Sequence, residues 1–383
     1  MIRFKDVTKR YPAMARPAVD GLTLEVDEGE TCVFVGPSGC GKTTTLKMVN
    51  RIFEATSGEI FVNGENILSQ DQDTLRQGIG YVIQKTGLFP HYTVFENVAT
   101  VPRLLGWDDQ RISSRVNELL QLVGLDPDEN APKYPRELSG GQSQRVGVAR
   151  ALAADPPVML MDEPFGAVDP ITRTQLQNEF LTLQQKVRKT ICFVTHDIDE
   201  AIKMGSRIAI INNGRLVQYD TPEKLLLAPA DEFVAEFIGS DRSLKVLSLL
   251  PVPKVLKRQF RVVKESAELE SVRASFDASE RNRMVIEDEH SNVVGYVTRS
   301  DAEKASSARG WNRFIKPFPA TLPPEATLRD ALAVMLQHDV GAIPVMEQRH
   351  KFLGMVYLDD IRSYVGEAYQ EREPEPDPEG APS

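Results

Sequence analysis

Apolar residues in positions 1–240 gather into short runs, and the stretches between the runs have helical spacing. Between Arg111 and Leu122, for example, apolar side chains recur on one face of a helix. Short apolar runs that alternate with amphipathic segments are typical of an α/β domain, and this class of fold is predicted for residues 1–240. The runs of strand length are Thr31-Cys-Val-Phe-Val35, Val158-Met-Leu-Met161, Ile191-Cys-Phe-Val194 and Arg207-Ile-Ala-Ile-Ile211.

The pattern changes after Gly239, where a second region begins. Two prolines interrupt residues 241–257, and this segment is predicted to be a linker. Residues 258–366 contain a weak internal repeat at a constant offset of 59 residues. Such a repeat predicts two copies of one small α/β unit, over 258–310 and 311–366. The aligned segments are Gly295-Tyr-Val-Thr-Arg-Ser-Asp301 with Gly354-Met-Val-Tyr-Leu-Asp-Asp360, and Ala267-Glu-Leu-Glu-Ser-Val272 with Ala326-Thr-Leu-Arg-Asp-Ala331.

Composition and charge narrow the class of protein. Of the 383 residues, 41% are hydrophobic and 26% are charged, which is typical of a sizeable core and, at this length, of two or three domains. The formal net charge of −10 argues against a nucleic-acid partner, because general nucleic-acid binders are usually basic. Residues 367–383 are rich in Glu and Pro, and they are predicted to form a disordered acidic tail. Such a tail is either inert or a reporter of ionic strength through its attraction to a charged surface.

Three features of the sequence bear on the cellular compartment of the protein and on whether it crosses a membrane. Cys32, Cys40 and Cys192 form neither a metal-binding spacing nor a paired set, which favours a reducing cytosol. The chain opens at Met1 directly into charged, strand-like sequence, so we expect no signal peptide. No run of about 18 apolar residues is present to span a membrane. If the chain serves a transporter, we therefore expect the pore on another polypeptide.

Residues 36–43, Gly-Pro-Ser-Gly-Cys-Gly-Lys-Thr, match the phosphate-binding pattern G-x-x-x-x-G-K-[ST] in full. They stand between a predicted strand and a predicted helix, as this chemistry requires. The glycines let the backbone curl until N–H groups point at a β-phosphate, and the helix adds its positive N-terminal end. Lys42 is placed to reach the β- and γ-phosphates, and the Thr43 hydroxyl is placed to ligate Mg²⁺. Cys40 stands at an unconstrained position of the pattern.

An apolar strand that ends in two carboxylates supplies the second half of the predicted site. In Val158-Met-Leu-Met-Asp162-Glu163, Asp162 would reach the Mg²⁺ shell from the carboxyl end of the strand. Glu163, the next residue, is placed to accept a proton from the attacking water.

The segment Leu138-Ser-Gly-Gly-Gln-Ser-Gln-Arg145 resembles the signature of the ABC ATPases. The resemblance covers residues 1–240. It implies an ABC cassette, which is a P-loop NTPase whose RecA-like core carries an antiparallel β subdomain and a helical subdomain. It also implies a homodimer, because in this family the signature of one subunit closes over the ATP held by the other. The signature residues implied to act in this way are Leu138, Ser139, Gly140, Gly141 and Gln142.

The same resemblance implies roles for single residues. Tyr11 matches the aromatic residue that stacks on adenine, and Gln84 matches the glutamine of a lid loop that also faces the membrane partner. Asp169 matches the loop at the dimer interface, where Val168 replaces the commoner Leu. The implied catalytic residues are Glu163, His196, Gln84 and Lys42. The implied ATP-binding residues are Tyr11, Gly36, Pro37, Ser38, Gly39, Cys40, Gly41, Lys42, Thr43 and Thr44, and the implied Mg²⁺ ligands are Thr43, Gln84 and Asp162.

Two classes of ABC protein are open at this point, a transporter subunit and a soluble ATPase of translation or DNA repair. The translation factors carry two cassettes, and the repair proteins split the cassette with a long coiled coil. This chain has one P-loop, and no heptad run precedes the signature, so transport is favoured. Leu88–Asn97 and Met161–Ala167 are similar to segments of bacterial importers. That similarity implies permease partners at the cytoplasmic face of the plasma membrane and, indirectly, an extracytoplasmic solute-binding protein.

The 59-residue repeat is similar to paired CBS modules through Gly295–Asp301, Gly354–Asp360 and Gly341-Ala-Ile-Pro-Val345. A cassette followed by a CBS pair resembles the quaternary-amine importers, which take up glycine betaine, choline, carnitine or proline betaine. An importer of another small solute is the alternative. CBS pairs often bind adenine nucleotides, and Asp301 and Asp360 match the carboxylate that holds the ribose. In the first copy Arg283-Met-Val-Ile286 departs from the family pattern, which leaves open both a nucleotide sensor and a purely dimerising pair.

Overall fold

The computed structural model describes residues 1–84, 87–166, 168–257, 262–277, 282–290, 292–305, 310–347 and 351–370. Ala167 of the importer-like segment and residues 371–383 of the predicted tail lie outside these ranges. The chain divides into two compact units, one made of Met1–Leu225 with Pro229–Gly239, and the other of Leu226–Ala228 with the residues from Ser240 onward. Across the described ranges, no helix is both long enough and apolar enough to cross a bilayer.

Strands and helices alternate along the first unit, as the apolar pattern predicts. The strands are β1 (Ile2–Lys9), β2 (Val19–Val26), β3 (Thr31–Val35), β4 (Ser57–Val62), β5 (Glu65–Asn66), β6 (Ile79–Val82), β7 (Val158–Asp162), β8 (Thr190–Val194), β9 (Arg207–Asn212) and β10 (Arg215–Asp220). The helices are α1 (Lys42–Val49), α2 (Gln72–Gln77), α3 (Val94–Leu104), α4 (Asp109–Leu122), α5 (Pro127–Asn130), α6 (Gly140–Leu152), α7 (Pro170–Val187), α8 (Ile198–Met204), α9 (Pro222–Leu227) and α10 (Glu232–Ile238).

The larger sheet of this unit has the strand order β10-β9-β3-β8-β7-β6 within the described residues. Its neighbours pair in parallel, apart from β10, which runs antiparallel to β9. β3, β7 and β8 are buried at every residue, because strands covered on both faces need no polar alternation. β3 leads through residues 36–41 into α1, and β7 ends at Asp162. The two phosphate-handling motifs therefore meet at the carboxyl edge of one sheet.

A smaller antiparallel sheet of order β2-β1-β4-β5 shares a hydrophobic core with the larger sheet. Phe4 of β1 and Phe34 of β3 meet edge to face, with ring centroids 6.3 Å apart, and both side chains are fully buried. The antiparallel subdomain implied by the family resemblance is therefore present, packed against the core of the parallel sheet.

The helix predicted over Arg111–Leu122 is confirmed as α4. The carboxylate of Asp108 caps it by accepting a hydrogen bond from the N–H of Arg111 at 2.9 Å. Its buried side chains recur at the spacing of one helix face. They are Ile112, Val116, Leu119 and Leu120. Through this face α4 packs with α3 and α6 in a layer of helices.

The second unit repeats one arrangement of elements. Its helices are α11 (Arg242–Leu249), α12 (Leu269–Asp277), α13 (Arg299–Lys304), α14 (Leu328–Gln337) and α15 (Leu358–Gln370). Its strands are β11 (Val262–Lys264), β12 (Arg283–Glu287), β13 (Val293–Thr298), β14 (Ala342–Glu347) and β15 (Lys351–Tyr357). The offset of 59 residues separates α12 from α14 and β12 from β14 at their first residues. α15 continues to Gln370, so the beginning of the predicted disordered tail is helical.

Each copy of the repeat is completed by a segment that precedes the other copy. The backbone of Lys257, ahead of the first copy, pairs with Met355 in the second, and the backbone of Lys316, ahead of α14, pairs with Tyr296 in the first. Trp311 likewise lies in the hydrophobic core of the first copy. This exchange differs from the predicted boundaries, which cut after residues 257 and 310. Sequence similarity reveals the repeat period but not which copy a segment packs against.

The segment 241–257, predicted as a linker, is structured and belongs to the second unit. α11 packs against α14 and α15. Val252 is fully buried, and its N–H donates a hydrogen bond to the carbonyl of Ala326 at 2.8 Å. Pro251 follows the end of α11 rather than interrupting it, so the prolines limit the length of the helix without preventing it.

Candidate active site

The turn between β3 and α1 depends on glycine. Gly36 and Gly41 have φ angles of 153° and 106°, in a region that residues with a side chain disfavour. A Cβ atom at Gly36 would lie 2.1 Å from the carbonyl oxygen of Ile211, and one at Gly41 would lie 2.1 Å from that of Ala18. Either atom would overlap with backbone, so the tight curl of this loop requires glycine at both positions.

The ammonium group of Lys42 is enclosed by the loop. Its Nζ atom donates hydrogen bonds to the carbonyl oxygens of Gly36 at 2.7 Å and Pro37 at 2.9 Å, and the Sγ atom of Cys40 lies at 3.7 Å. Lys42 is only 6% exposed. No carboxylate in the described ranges forms an ion pair with it. A buried cation without a carboxylate partner favours an anionic ligand, and a phosphate fits this requirement.

Thr43 and Asp162 bring two oxygen ligands together beside the loop. The Thr43 hydroxyl donates a hydrogen bond to Oδ1 of Asp162 at 2.8 Å. Burial raises the pKa of Asp162 above its ordinary value, while the hydrogen bond from Thr43 acts in the opposite direction. A nearby cation would favour the charged carboxylate again, and hydroxyl and carboxylate oxygens are ligands that Mg²⁺ prefers. The pair therefore fits the Mg²⁺ site predicted from the sequence.

Glu163 stands directly after β7 in a left-handed backbone conformation, with φ at 45°. This conformation costs a residue other than glycine on the order of 1 kcal/mol. The N–H of Glu163 donates to the carbonyl of Val194 at 2.9 Å. Nε2 of Gln84 donates to Oε2 of Glu163 at 2.8 Å, and Nδ1 of His196 lies 3.5 Å from Oε1. Three of the residues predicted to be catalytic thus meet, with Glu163 at their centre.

A solvent-open cavity of about 1320 Å³ joins these groups. It is lined by Tyr11, by every residue of 36–44, and by Gln84, Glu163 and His196. The ring of Tyr11 packs edge to face on Phe53 with centroids 5.9 Å apart, and the ammonium of Lys9 lies 5.2 Å from the Tyr11 centroid. The predicted ATP-binding residues and three predicted catalytic partners therefore face one space.

Sequence reasoning missed three residues that line the same cavity, Met14, Ala18 and Phe237. None of them belongs to a phosphate-binding motif. The available signal for Phe237 was its spacing of four residues from Phe233, which places two aromatic rings on one face of α10. The rings are stacked, with centroids 5.9 Å apart.

The signature residues 138–142 and Asp169 do not line this cavity. Ser139 caps α6, because its Oγ accepts the N–H of Gln142 at 3.2 Å and Oε1 of Gln142 accepts the N–H of Ser139 at 3.0 Å. Gly140 is exposed, and no atom lies within 4 Å of a Cβ placed there. Asp169 caps α7 by accepting the N–H of Thr172 at 3.1 Å. Within one chain, the signature and the phosphate loop remain separate sites.

A second depression of about 860 Å³ lies beside β6, and its lining includes Ile83, the neighbour of Gln84. Phe89 stands in this depression with 47% of its surface exposed. Arg150 donates to the carbonyl of Gly87 at 2.7 Å, and its guanidinium lies 5.9 Å from the Phe89 centroid. An exposed aromatic ring beside an arginine is typical of a protein–protein contact surface.

In the second unit, the carboxylate of Asp301 is paired internally. Nζ of Lys316 donates to its two oxygens at 2.8 and 3.1 Å, and the Thr298 hydroxyl and N–H also donate to it. Burial acts to raise the pKa of Asp301, but the hydrogen bonds from Lys316 and Thr298 outweigh it and hold the pKa below its usual value. A ribose at the predicted ligand position would compete with this ion pair. Asp360 holds the equivalent position in the first turn of α15.

The position of the phosphate loop, at the carboxyl edge of a parallel sheet, is that of P-loop NTPases. The separate signature helix narrows the class to the ABC ATPases, which hydrolyse ATP. Comparison with family profiles agrees, since the ABC transporter profile matches residues 19–166 and the CBS domain profile matches residues 313–367.

Known relatives align over most of the chain. The osmoprotectant import ATP-binding protein OsmV of Salmonella typhimurium is 44% identical, over 95% of this chain and 96% of its own length. The glycine betaine/carnitine/choline transport ATP-binding protein OpuCA of Bacillus subtilis is 43% identical, over 93% and 94%. A dimeric post-hydrolysis structure of the ATP-binding cassette MJ0796, bound to ADP and Pi, is 33% identical with a TM-score of 0.53, over 58% of this chain and 99% of that one. The chain therefore belongs to the ATP-binding subunits of ABC importers.

Proposed function

We propose that Glu163 is the general base of this ATPase, and that hydrolysis powers the import of a quaternary amine through a separate permease. The observation that carries the catalytic part is the cluster of Glu163 with Gln84 and His196 at the phosphate loop. A carboxylate contacted through both oxygens is fixed in direction, which a general base requires.

In the proposed reaction Glu163 accepts a proton from the attacking water, whose oxygen bonds to the γ-phosphorus. The bond from that phosphorus to the β–γ bridging oxygen breaks, which releases ADP and phosphate. Gln84 orients the water, because its side chain already reaches the carboxylate that accepts the proton. Lys42 and His196 stabilise the negative charge on the transferring phosphoryl group.

Mg²⁺ is the cofactor that this site would hold, with Thr43, Asp162 and Gln84 as its protein ligands. When bound, the ion supplies Lewis-acid stabilisation of the phosphate oxygens. The support from this chain is the Thr43–Asp162 contact of 2.8 Å at a buried carboxylate. The Thr43 hydroxyl and the Asp162 carboxylate would be the oxygen ligands that hold the ion.

We propose that two copies form each complete site. The N-terminus of α6 is exposed at Gly140 and lies outside the cavity of its own chain. Because a helix N-terminus binds anions, it is suited to face the γ-phosphate held by a partner. The dimeric state of the similar cassette MJ0796, bound to ADP and Pi, supports this arrangement. Asp169 would lie at the same interface.

The permease is proposed to dock in the depression beside β6. Its lining includes Phe89 and Ile83, and Ile83 directly precedes Gln84 in the sequence. A partner bound there would move with the residue that contacts Glu163. In this proposal, closure of the ATP site is transmitted through this contact to the membrane subunit. The same contact holds the chain at the membrane surface.

The proposed solute class is supported by the names of relatives, which specify glycine betaine, carnitine and choline. The test is uptake into proteoliposomes that contain the chain with its cognate permease and binding protein and that hold ATP on the side of this chain. We expect ATP-dependent uptake of at least one labelled quaternary amine, and none with Glu163→Gln. ATP-driven uptake confined to solutes without a quaternary nitrogen would overturn this part of the proposal while leaving the ATPase intact.

The second unit is proposed to regulate the ATPase, as a sensor of adenine nucleotide or of ionic strength. Lys316 is suited to test this regulatory role, since its ammonium donates to both carboxylate oxygens of Asp301. Its backbone also pairs with Tyr296 of the first copy of the repeat. In the full chain, Lys316→Ala should change how hydrolysis responds to added AMP or to potassium chloride. An unchanged response to both would leave the unit with a dimerising role.

A further inference from the structure

We propose that Phe237 is a second adenine-contacting residue, which acts together with Tyr11 to hold the base of the nucleotide. This inference rests on the proposed function, since it takes ATP as the occupant of the cavity over residues 36–44. Phe237 lies some 190 positions after that loop in the sequence, yet it lines the same cavity. None of the sequence motifs includes it.

The cavity divides by chemistry into two kinds of lining. Lys42, Thr43 and Glu163 provide a cation, a hydroxyl and a carboxylate, which suit phosphates, a metal ion and water. Among the described residues, Tyr11 and Phe237 are the only Phe, Tyr or Trp side chains in its lining. A purine base presents two flat faces and gains affinity by stacking on aromatic rings. The apolar lining is therefore assigned to the base.

Tyr11 alone can stack on only one face of the base. Its ring is held in place by Phe53, with centroids 5.9 Å apart, and by the ammonium of Lys9 at 5.2 Å from the ring centroid. The nucleotide cavity is also wide and open to solvent. A second aromatic side chain would shield more of the base from water, and Phe237 is the residue in position to do so.

α10 holds Phe237 in place by contacts on its other face. Val234 and Ile238 are buried, and the carboxylate of Asp231 caps the helix by accepting the N–H of Val234 at 2.8 Å. Phe233 stacks on Phe237 with an interplanar angle of 24°. The ring of Phe237 is therefore supported before any ligand binds, which lowers the entropy cost of stacking.

The test compares ATP with inorganic tripolyphosphate, which has the phosphates but no base. For Phe237→Ala in the full chain, we expect calorimetry to show ATP binding weakened about 5- to 10-fold, because a stacked base contributes at the lower end of its usual range in an open site. Tripolyphosphate binding should be unchanged. Phe237→Trp should retain ATP affinity. Tyr92→Ala is the control, since it removes an exposed aromatic ring that does not line the cavity, and it should alter ATP affinity less than twofold.

Three outcomes are distinguishable. If Phe237→Ala binds ATP as the wild type does, Phe237 does not contact the base and the inference is overturned. If the variant loses tripolyphosphate affinity in parallel with ATP, the residue has a structural role only, which also overturns it. Failure of the wild-type chain to bind ATP at all would instead contradict the proposed function.

Discussion

Both carboxylate oxygens of Glu163 are engaged, since Oε1 lies 3.5 Å from Nδ1 of His196 and Oε2 accepts a hydrogen bond from Gln84 at 2.8 Å. The side chain of Glu163 is about one-fifth exposed, whereas that of His196 is mostly exposed. The carboxylate is thus fixed in direction but still reachable from the cavity. This geometry makes Glu163 the residue whose chemistry is easiest to isolate by substitution.

Glu163→Gln should abolish steady-state hydrolysis while nucleotide binding is retained. The amide has the shape of the carboxylate but cannot accept the proton of water, so turnover should fall by about 100-fold or more. Phosphate release and ATP binding by the same preparation check this. ATPase activity close to that of the wild type would rule out Glu163 as the base.

Lys42→Ala should weaken ATP binding by about 10- to 100-fold, because charge-assisted hydrogen bonds to phosphate are lost from a buried position. Calorimetric titration with ATP provides the measurement. Lys186→Ala, which removes an exposed lysine from α7, is the control and should bind ATP normally. Unchanged affinity in Lys42→Ala would count against the whole phosphate site.

Gly140→Asp should abolish hydrolysis without disturbing the fold, since Gly140 is exposed and a Cβ atom placed there meets no atom within 4 Å. The added carboxylate would repel the phosphate that a partner presents to α6. Mixed with Lys42→Ala chains, this variant should regain part of the ATPase activity, because each mixed dimer has one intact loop facing one intact signature. No recovery on mixing would contradict sites shared between two chains.

Asp301→Asn should destabilise the second unit by about 1–2 kcal/mol near neutral pH, the usual contribution of a charged hydrogen bond that is partly screened. The pKa of Asp301 is held below its ordinary value of 3.8. Its stabilising contribution is therefore present above about pH 4 and is lost as the pH falls through the lower, folded-state pKa. The difference between wild type and variant should shrink toward pH 3.

Fluorescence of Trp311 reports this unfolding if Trp107, the other of the two tryptophans, is replaced by Phe. Lys316→Met serves as the matched partner variant, and it should remove the same pH-dependent contribution. A wild-type advantage that stays constant between pH 7 and pH 3 would show that the Lys316–Asp301 pair does not stabilise the folded unit.

Much of the cassette could be predicted because its signals are local. The apolar run Thr31–Val35 by itself predicts a buried strand, and the structure confirms it. Gly36 and Gly41 belong to a local sequence motif, and a Cβ atom at either position would overlap with backbone. The contacts of Glu163 with Gln84 and His196 could be expected only from the family resemblance. The three residues come from separate segments of the chain, so no local pattern predicts that they meet. Their assigned roles in catalysis remain predictions.

Other features depend on packing that leaves little trace in the sequence. Phe237 reaches the nucleotide cavity through the placement of α10, and no motif surrounds it. Lys316 reaches Asp301 because a segment crosses to the first copy of the repeat. The sequence does not predict α11, because Pro251 indicates a break in helical structure although it lies just beyond the end of this helix.

The reciprocal pairing of Lys257 with Met355 and of Lys316 with Tyr296 joins each copy, through backbone hydrogen bonds, to a segment that precedes the other copy. A chain cut after residue 310 would deprive the first copy of Trp311, whose indole N–H donates to the carbonyl of Ala267 at 2.7 Å. Such a half could recover its missing segment only from another molecule, which is the route to domain swapping. Loss of one copy would therefore also remove a segment against which the other copy packs.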